Sequence, residues 1–276
     1  MPVYNGLPLI KASIESLMRQ TLTEWECVIV DDGSSDGTAQ WLDTLTDVRI
    51  VVHHFPHNQG RPAARQKALE MAKGEYIAML DAGDLYHPDK LNLQVNAFLS
   101  HPEVALVGAG MTSFGINTDI LVVRGKGDCN VKEYDGHTIP CHGPSMLRNS
   151  LAKKLKYNPL LKMGEDLDFL SRYLVGQKYL VLDKALYFYS ELDSVNKSKV
   201  LKTYKYQIRA SREVHKYLDT LKISAKYLIR LFTFPFLSSE AVLKQRGNPA
   251  NQEETSDYEK FCKPLIRKVV DDGTNE

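Results

Sequence analysis

Four times in residues 1–84 a short apolar or β-branched run ends in a turn rich in Asp, Asn and Gly, and three of these turns feed a helical period. Met1-Pro2-Val3 runs into Tyr4-Asn5-Gly6, and Leu9, Ile10, Ile14, Leu17 and Met18 then recur at helical spacing. Glu26 to Val30 runs into Asp31-Asp32-Gly33-Ser34, followed by Trp41, Leu42 and Leu45 on one helix side. Arg49 to His54 precedes Asn58-Gln59-Gly60 and a helix from Pro62 to Lys73, stopped by Gly74. Tyr76 to Leu80 ends abruptly at Asp81-Ala82-Gly83-Asp84. Such alternation with short links predicts an α/β fold: a mostly parallel, Rossmann-like sheet flanked by helices. Within it Tyr76 to Leu80 reads as a buried parallel strand. Its two carboxylates then stand where open sheets of this class place ligands.

Beyond Asp84 the reading continues with a helix from Pro88 to Leu99 and a strand from Val104 to Val107. A polar stretch without period follows, from Gly110 to His137. Gly164-Glu165-Asp166 then opens a helix carrying Leu167, Leu170 and Leu174, and two strand-like runs follow at 179–182 and 185–189. Charge excludes a general nucleic-acid binder, because 35 basic residues face 34 acidic ones. Cys27, Cys129, Cys141 and Cys262 show no C-x-x-C pair and read as reduced thiols. With no leader and no uninterrupted apolar run of ~18 residues, the expected place is cytoplasmic.

The turns supply chemistry as well as geometry. Asp81 and Asp84 can reach one hard cation from one side, leaving the other side to waters and phosphate oxygens, as Mg²⁺ or Mn²⁺ with a nucleotide prefers. The plain alternative is a turn built from good turn formers. Asp32, between a strand and a glycine, is expected to expose a carboxylate able to accept from an imide N–H such as that of uracil. Tyr4, held by Pro2 and Val3, can lay its ring on a flat base or serve as a core tyrosine. Arg65 can hold an aspartate, approach a phosphate, or make a plain surface ion pair. A carboxylate at a stiff helix start, as in Glu165-Asp166, suits a general base, although acids there also stabilise the helix dipole.

In order, Pro2-Val3-Tyr4-Asn5, the strand ending Asp31-Asp32-Gly33-Ser34, Asn58-x-Gly60 with Ala64-Arg65, Gly74-Glu75-Tyr76-Ile77, Leu80-Asp81-x-x-Asp84 and Gly164-Glu165-Asp166 together resemble the family-2 glycosyltransferases of GT-A fold, many of which build bacterial surface polysaccharides. The resemblance covers about residues 1–195. It implies an inverting, metal-dependent hexosyltransferase that moves a sugar from a nucleotide-diphosphate sugar, UDP-linked by expectation, to a saccharide or lipid-linked saccharide. Pro2, Val3, Tyr4, Asp32, Gly60, Arg65, Asp81 and Ala82 are then expected at the nucleotide. Mn²⁺ or Mg²⁺ falls to Asp84 with Asp81, because Gly83 stands where relatives carry their usual ligand. Asp166 is the expected base, Glu165 positions the acceptor, and His142 lines the acceptor pocket. Family members place the first residue of this chain inside their first strand. A sugar nucleotidyltransferase would carry a glycine-rich basic loop near the N-terminus, and Asn5-Gly6-Leu7-Pro8 is not one. A noncatalytic sugar- or nucleotide-binding module is the other rival.

The expected organisation is a catalytic domain at 1–195, with a nucleotide-binding half (1–109) and an acceptor half (110–195). A basic helical extension (196–246), then a linker and terminal helix (247–276), follow. The extension holds twelve Lys or Arg against three acids. Its apolar residues are spaced as in an interfacial helix, so a peripheral contact with the inner face of the cell membrane is expected through 196–246. Packing on the catalytic domain, or on a second copy in a homodimer, is the alternative use of the same stripe.

Overall fold

The structure, a computed structural model, describes residues 1–161, 163–191, 198, 201, 204, 205, 208 and 217–273. These fall into two compact units. The first comprises Met1–Thr112, Val123–Tyr189 and the C-terminal segment from Ala250, and the second comprises Ser113–Val122 and Ser190–Pro249.

The first unit begins with β1 (Pro2–Val3), α1 (Leu9–Met18), β2 (Cys27–Asp31), α2 (Thr38–Leu42), β3 (Ile50–His54) and α3 (Arg61–Met71). β1, β2 and β3 form a parallel sheet in which Pro2 pairs with Val30 and Cys27 with Ile50. All five residues of β2 are buried, and successive side chains serve opposite faces. Val28 and Val30 pack with Ala64 of α3, while Cys27 and Ile29 join Ile10, Ile14 and Leu17 of α1 and Leu42 of α2. Fully burying one such Leu or Ile contributes about 1.5–3 kcal/mol. β2 is thus clamped between two helices, and the carboxylates at its end are fixed with it.

A second sheet follows from β4 (Tyr76–Ala78), β5 (Leu85–Tyr86), α4 (Lys90–Ser100), β6 (Val104–Phe114), β7 (Val122–Arg124), β8 (Lys132–Glu133), β9 (Met146–Arg148), α5 (Asn149–Ala152), α6 (Glu165–Tyr173) and β10 (Lys178–Ser190). β9 lies between β4 and β6, and β10 between β6 and β5. The run from Tyr76 departs from expectation. Its strand ends at Ala78, it is half-buried, and it pairs antiparallel with β9, Tyr76 opposite Arg148 and Ala78 opposite Met146. Beyond Ala78 the backbone leaves the ladder to form the Asp81–Asp84 turn, where the Asp84 N–H donates to the Asp81 carbonyl.

Two further elements escape the hydropathy pattern. β6 continues to Phe114, beyond the expected end at Val107, and every one of its residues is buried although Gly, Ala, Thr and Ser occupy much of that end. The runs at 179–182 and 185–189 are one strand that continues through Asp183 and Lys184. At the C-terminus, part of the stretch that reads as a linker is the helix Gln252–Asp257. Its start is fixed by a capping box in which Asn251 accepts from the Glu254 N–H and Glu254 accepts from the Asn251 N–H. The chain continues through a π-helical turn, Tyr258–Cys262, into the helix Lys263–Gly273, which buries Leu265, Ile266 and Val269 and packs along α1.

In the second unit the helix Tyr217–Thr233 leads into a 3₁₀ turn, Phe234–Phe236, and a short helix, Ser239–Lys244, capped by Ser238. Glu191 there accepts from Ser113 and from Arg246. Residues 192–195, and within the expected basic extension 196, 197 and most of 199–216, lie outside the described residues. Among the described residues no helix is long and apolar enough to cross a membrane.

Candidate active site

At the end of β2 two adjacent carboxylates are fixed by backbone amides. Asp31 is 1% exposed, accepts from the Ser34 N–H at 3.1 Å and lies 2.9 Å from His54 Nδ1. That carboxylate, foremost, raises the His54 pKa. Asp32 is buried rather than exposed as the sequence suggests. Its two oxygens accept from the Gln59 N–H at 2.6 Å and the Gly60 N–H at 2.9 Å. This contact requires the 57–58 backbone to come so close that a Cβ on Gly33 would stand 2.6 Å from the His57 carbonyl carbon. Glycine also tolerates the positive φ of 72° there. A carboxylate has roughly four acceptor sites, so Asp32 keeps capacity after holding the loop. Tyr4 extends from the end of β1 with half its surface free, and the loop behind it is tied down by Asn5 N–H to Ser34 and Gly6 N–H to Thr38.

Arg65, on α3, lies across the centre of the site and is only 6% exposed. Its Nη2 donates to both oxygens of Asp81, at 3.0 and 2.8 Å, and its Nη1 donates to Glu165 Oε1 at 2.9 Å. Burial disfavours the guanidinium charge, but Asp81, Tyr157 and Glu165 more than offset it, and the Arg65 pKa is raised. Burial likewise pushes the Asp81 carboxyl upward, yet Arg65 beside it prevails and holds it at about 2. Glu165 is 1% exposed, and there burial prevails over Arg65, so its carboxyl is raised. Asp166, next on α6, is half-buried and accepts from the Leu167 N–H. Of the pair at the helix start, one carboxylate is locked and its neighbour stays accessible.

His142 belongs to the same cluster. Its Nε2 lies 3.1 Å from the Tyr157 hydroxyl, and burial first, then Arg65, lower its pKa to about 4, so the imidazole is neutral near pH 7. Tyr157 stacks on Phe169 of α6 at 4.2 Å, and its backbone N–H donates to Gln66 of α3. Nothing in the sequence singled out Tyr157, which sits in a short basic stretch, Lys153 to Tyr157. Arg65, Asp81, His142 and Tyr157 line a cavity of about 100 Å³ that also meets Met1, Pro2 and β4.

The expected cation ligands part company. Asp84 is 4% exposed and receives the Tyr187 hydroxyl at 2.6 Å, while the same hydroxyl accepts from the Asp81 N–H at 3.3 Å. Asp84 thus anchors its turn through Tyr187. Gly83 shapes that turn, with φ at 96° and its N–H donating to Ser13. Ala82 lies half-buried in the same turn. Asp81 keeps about a third of its side chain accessible, 35%, and its carboxyl is ionised. Among the described residues no group of three or more His, Cys, Asp or Glu is arranged to hold a metal. Mg²⁺-type sites use one or two carboxylates with waters and substrate phosphates, so the residues present fit a cation met by Asp81. Tyr187 went unnoticed in the sequence because it lies 103 positions from Asp84.

The family profile described as Glycosyl transferase family 2 matches residues 1–156. The UDP-Glc:alpha-D-GlcNAc-diphosphoundecaprenol beta-1,3-glucosyltransferase WfgD of Escherichia coli is 38% identical over 101 residues, 37% of this chain and 40% of that protein. EpsE of Bacillus subtilis (strain 168), named as a glycosyltransferase, is 31% identical over 251 residues, 84% of this chain and 87% of that one. Several curated relatives are spanned over only 38% to 41% of their length. Among solved structures, S. aureus TarS 1-349 in complex with UDP-GlcNAc superposes with a TM-score of 0.62 at 22% identity, covering 97% of this chain and 80% of that one. That likeness shows the GT-A fold.

Proposed function

We infer, for a chain that belongs to glycosyl transferase family 2, an inverting transfer of a sugar from a nucleotide-diphosphate sugar to a saccharide or lipid-linked saccharide. UDP is the nucleotide we assign, and the setting is cell-surface polysaccharide synthesis in the cytoplasm, at the inner face of the cell membrane. The observation that carries the reading is the Arg65 bridge, which ties the turn carboxylate Asp81 to the helix-start carboxylate Glu165 and leaves Asp166 accessible beside them. One basic group thereby sets donor side and acceptor side in a single arrangement.

In this reading Tyr4 offers its ring to the base, and Asp32, at the end of β2 and braced by the Gln59 and Gly60 N–H groups, accepts from the imide N–H. Glu165 and neutral His142 orient the acceptor. The acceptor hydroxyl oxygen attacks the anomeric carbon, and its proton passes to the Asp166 carboxylate. The bond from that carbon to the phosphate oxygen breaks, and its electron pair leaves with the nucleoside diphosphate. A single base opposite the leaving group implies in-line displacement and inversion. Mn²⁺ or Mg²⁺ would be held by Asp81 together with phosphate oxygens of the donor, and supplies a Lewis acid that takes up charge on the diphosphate. A panel of nucleotide sugars, read as nucleoside diphosphate released with Mn²⁺ or Mg²⁺ present, tests this. Release from one donor, absent without protein, is expected. Tight UDP binding with no release from any donor would favour a noncatalytic binding module.

A further inference from the structure

The helix Tyr217–Thr233 of the second unit has two unlike faces. Ile223, Tyr227 and Arg230 are half-buried. Arg230 donates to Gln245 and lies 5.5 Å from the ring of the buried Phe234, while Lys205 Nζ lies 6.0 Å from the Tyr227 ring. Leu221, Ala225, Leu228 and Phe232, spaced by four, three and four residues, form a single stripe on the other side, and all are exposed. The exposures are 66% for Leu221, 52% for Leu228 and 72% for Phe232, and Phe236 just beyond reaches 90%. Single exposed apolar residues are ordinary on a soluble protein, but a continuous stripe of them marks an interaction surface.

Charge selects the occupant. Lys222 and Lys226, both exposed, follow Leu221 and Ala225 by one position each, so a row of ammonium groups runs along the stripe. Asp219 is the sole acid in the helix sequence. An isologous contact with a second copy would bring like charges together along this row, with little acid to meet them. An anionic bilayer offers both complements, acyl chains below and phosphates above. We propose that this face docks the protein on an anionic membrane surface, with Leu221, Leu228 and Phe232 entering the acyl boundary and Lys222 and Lys226 meeting the headgroups. The proposal does not depend on which sugar is transferred, or on whether one is.

Vesicle flotation of the full chain at low salt tests it. Binding to mixed phosphatidylglycerol–phosphatidylcholine vesicles should exceed binding to phosphatidylcholine alone by about tenfold or more and fade as salt rises. Leu228→Ser with Phe232→Ser should abolish it, and Lys222→Gln with Lys226→Gln should lower it about tenfold. Both variants should keep the wild-type melting temperature, since the altered side chains are exposed. No binding of the wild type at low salt, or binding unchanged in both variants, overturns the proposal. So does a dimer in sedimentation that Phe232→Ser converts to monomer while vesicles stay unbound, which would make the face a self-interface.

Discussion

The carboxylates that follow β2 and those of the central cluster are held by different means. Asp32 takes the N–H groups of Gln59 and Gly60, and Asp31 takes the Ser34 N–H, so backbone supplied by neighbouring loops fixes them. Asp81 and Glu165 instead share one guanidinium, and the Arg65–Glu165 link spans 100 positions of sequence. Backbone donors stay in place when one side chain is changed. A shared arginine does not, and the difference predicts where the molecule is fragile.

Asp166→Asn sharpens the comparison most, because it neutralises the accessible carboxylate while leaving the Arg65 bridge whole. Turnover should fall by a factor of ~10²–10⁴ with UDP affinity near wild type, by calorimetry beside a transfer assay; weakened UDP binding would place Asp166 on the donor side. Next comes Arg65→Ala, which leaves buried Glu165 only the longer contact to Arg61, at 3.7 Å. Breaking a buried pair costs about 3–5 kcal/mol, so a large fall in melting temperature with loss of transfer is expected, and a stable, active variant would dissolve the bridge as an organising feature.

Asp84→Ala acts through the fold, since the buried Tyr187 hydroxyl would lose its acceptor. An orphaned buried group costs about 1–3 kcal/mol, measurable by urea denaturation. Asp81→Asn, by contrast, should weaken the Mn²⁺ dependence of UDP binding more than Asp84→Asn does; the reverse order would return the cation to Asp84.

The smallest effect belongs to His54, partly exposed against Asp31. Its folded pKa is raised above the ordinary value of about 6.5, so its contribution is full below that pH and is lost as pH rises through the folded value. The gap in melting temperature between wild type and His54→Gln should therefore be wider below the ordinary histidine value of about 6.5 than well above it. A gap that grows with pH would reverse the assignment.

What was legible in the sequence follows the same division. Short strands ending in Asp, Gly and Asn turns depend on local rules, and β1, β2, β3, α1 and α3 stand where those rules put them. The burial of Asp84 and the place of Tyr157 depend on partners far along the chain, Tyr187 and Phe169, which no local pattern links to them. The end of β6 was missed because its buried residues include Gly110, Thr112 and Ser113, which carry little hydropathy. The helix at Gln252, in contrast, had a usable signal in Asn251-x-x-Glu254, set within a stretch whose Gly, Asn and Pro content reads as a linker.

One-step displacement with Asp166 as base is tested most directly by the anomeric configuration of the first product. With the donor found by the nucleotide-sugar panel, proton NMR of the product should show the anomer opposite to that of the donor, formed from the first turnovers and far more slowly with Asp166→Asn. A product retaining the donor's configuration would contradict in-line attack and the whole assignment of roles around Arg65.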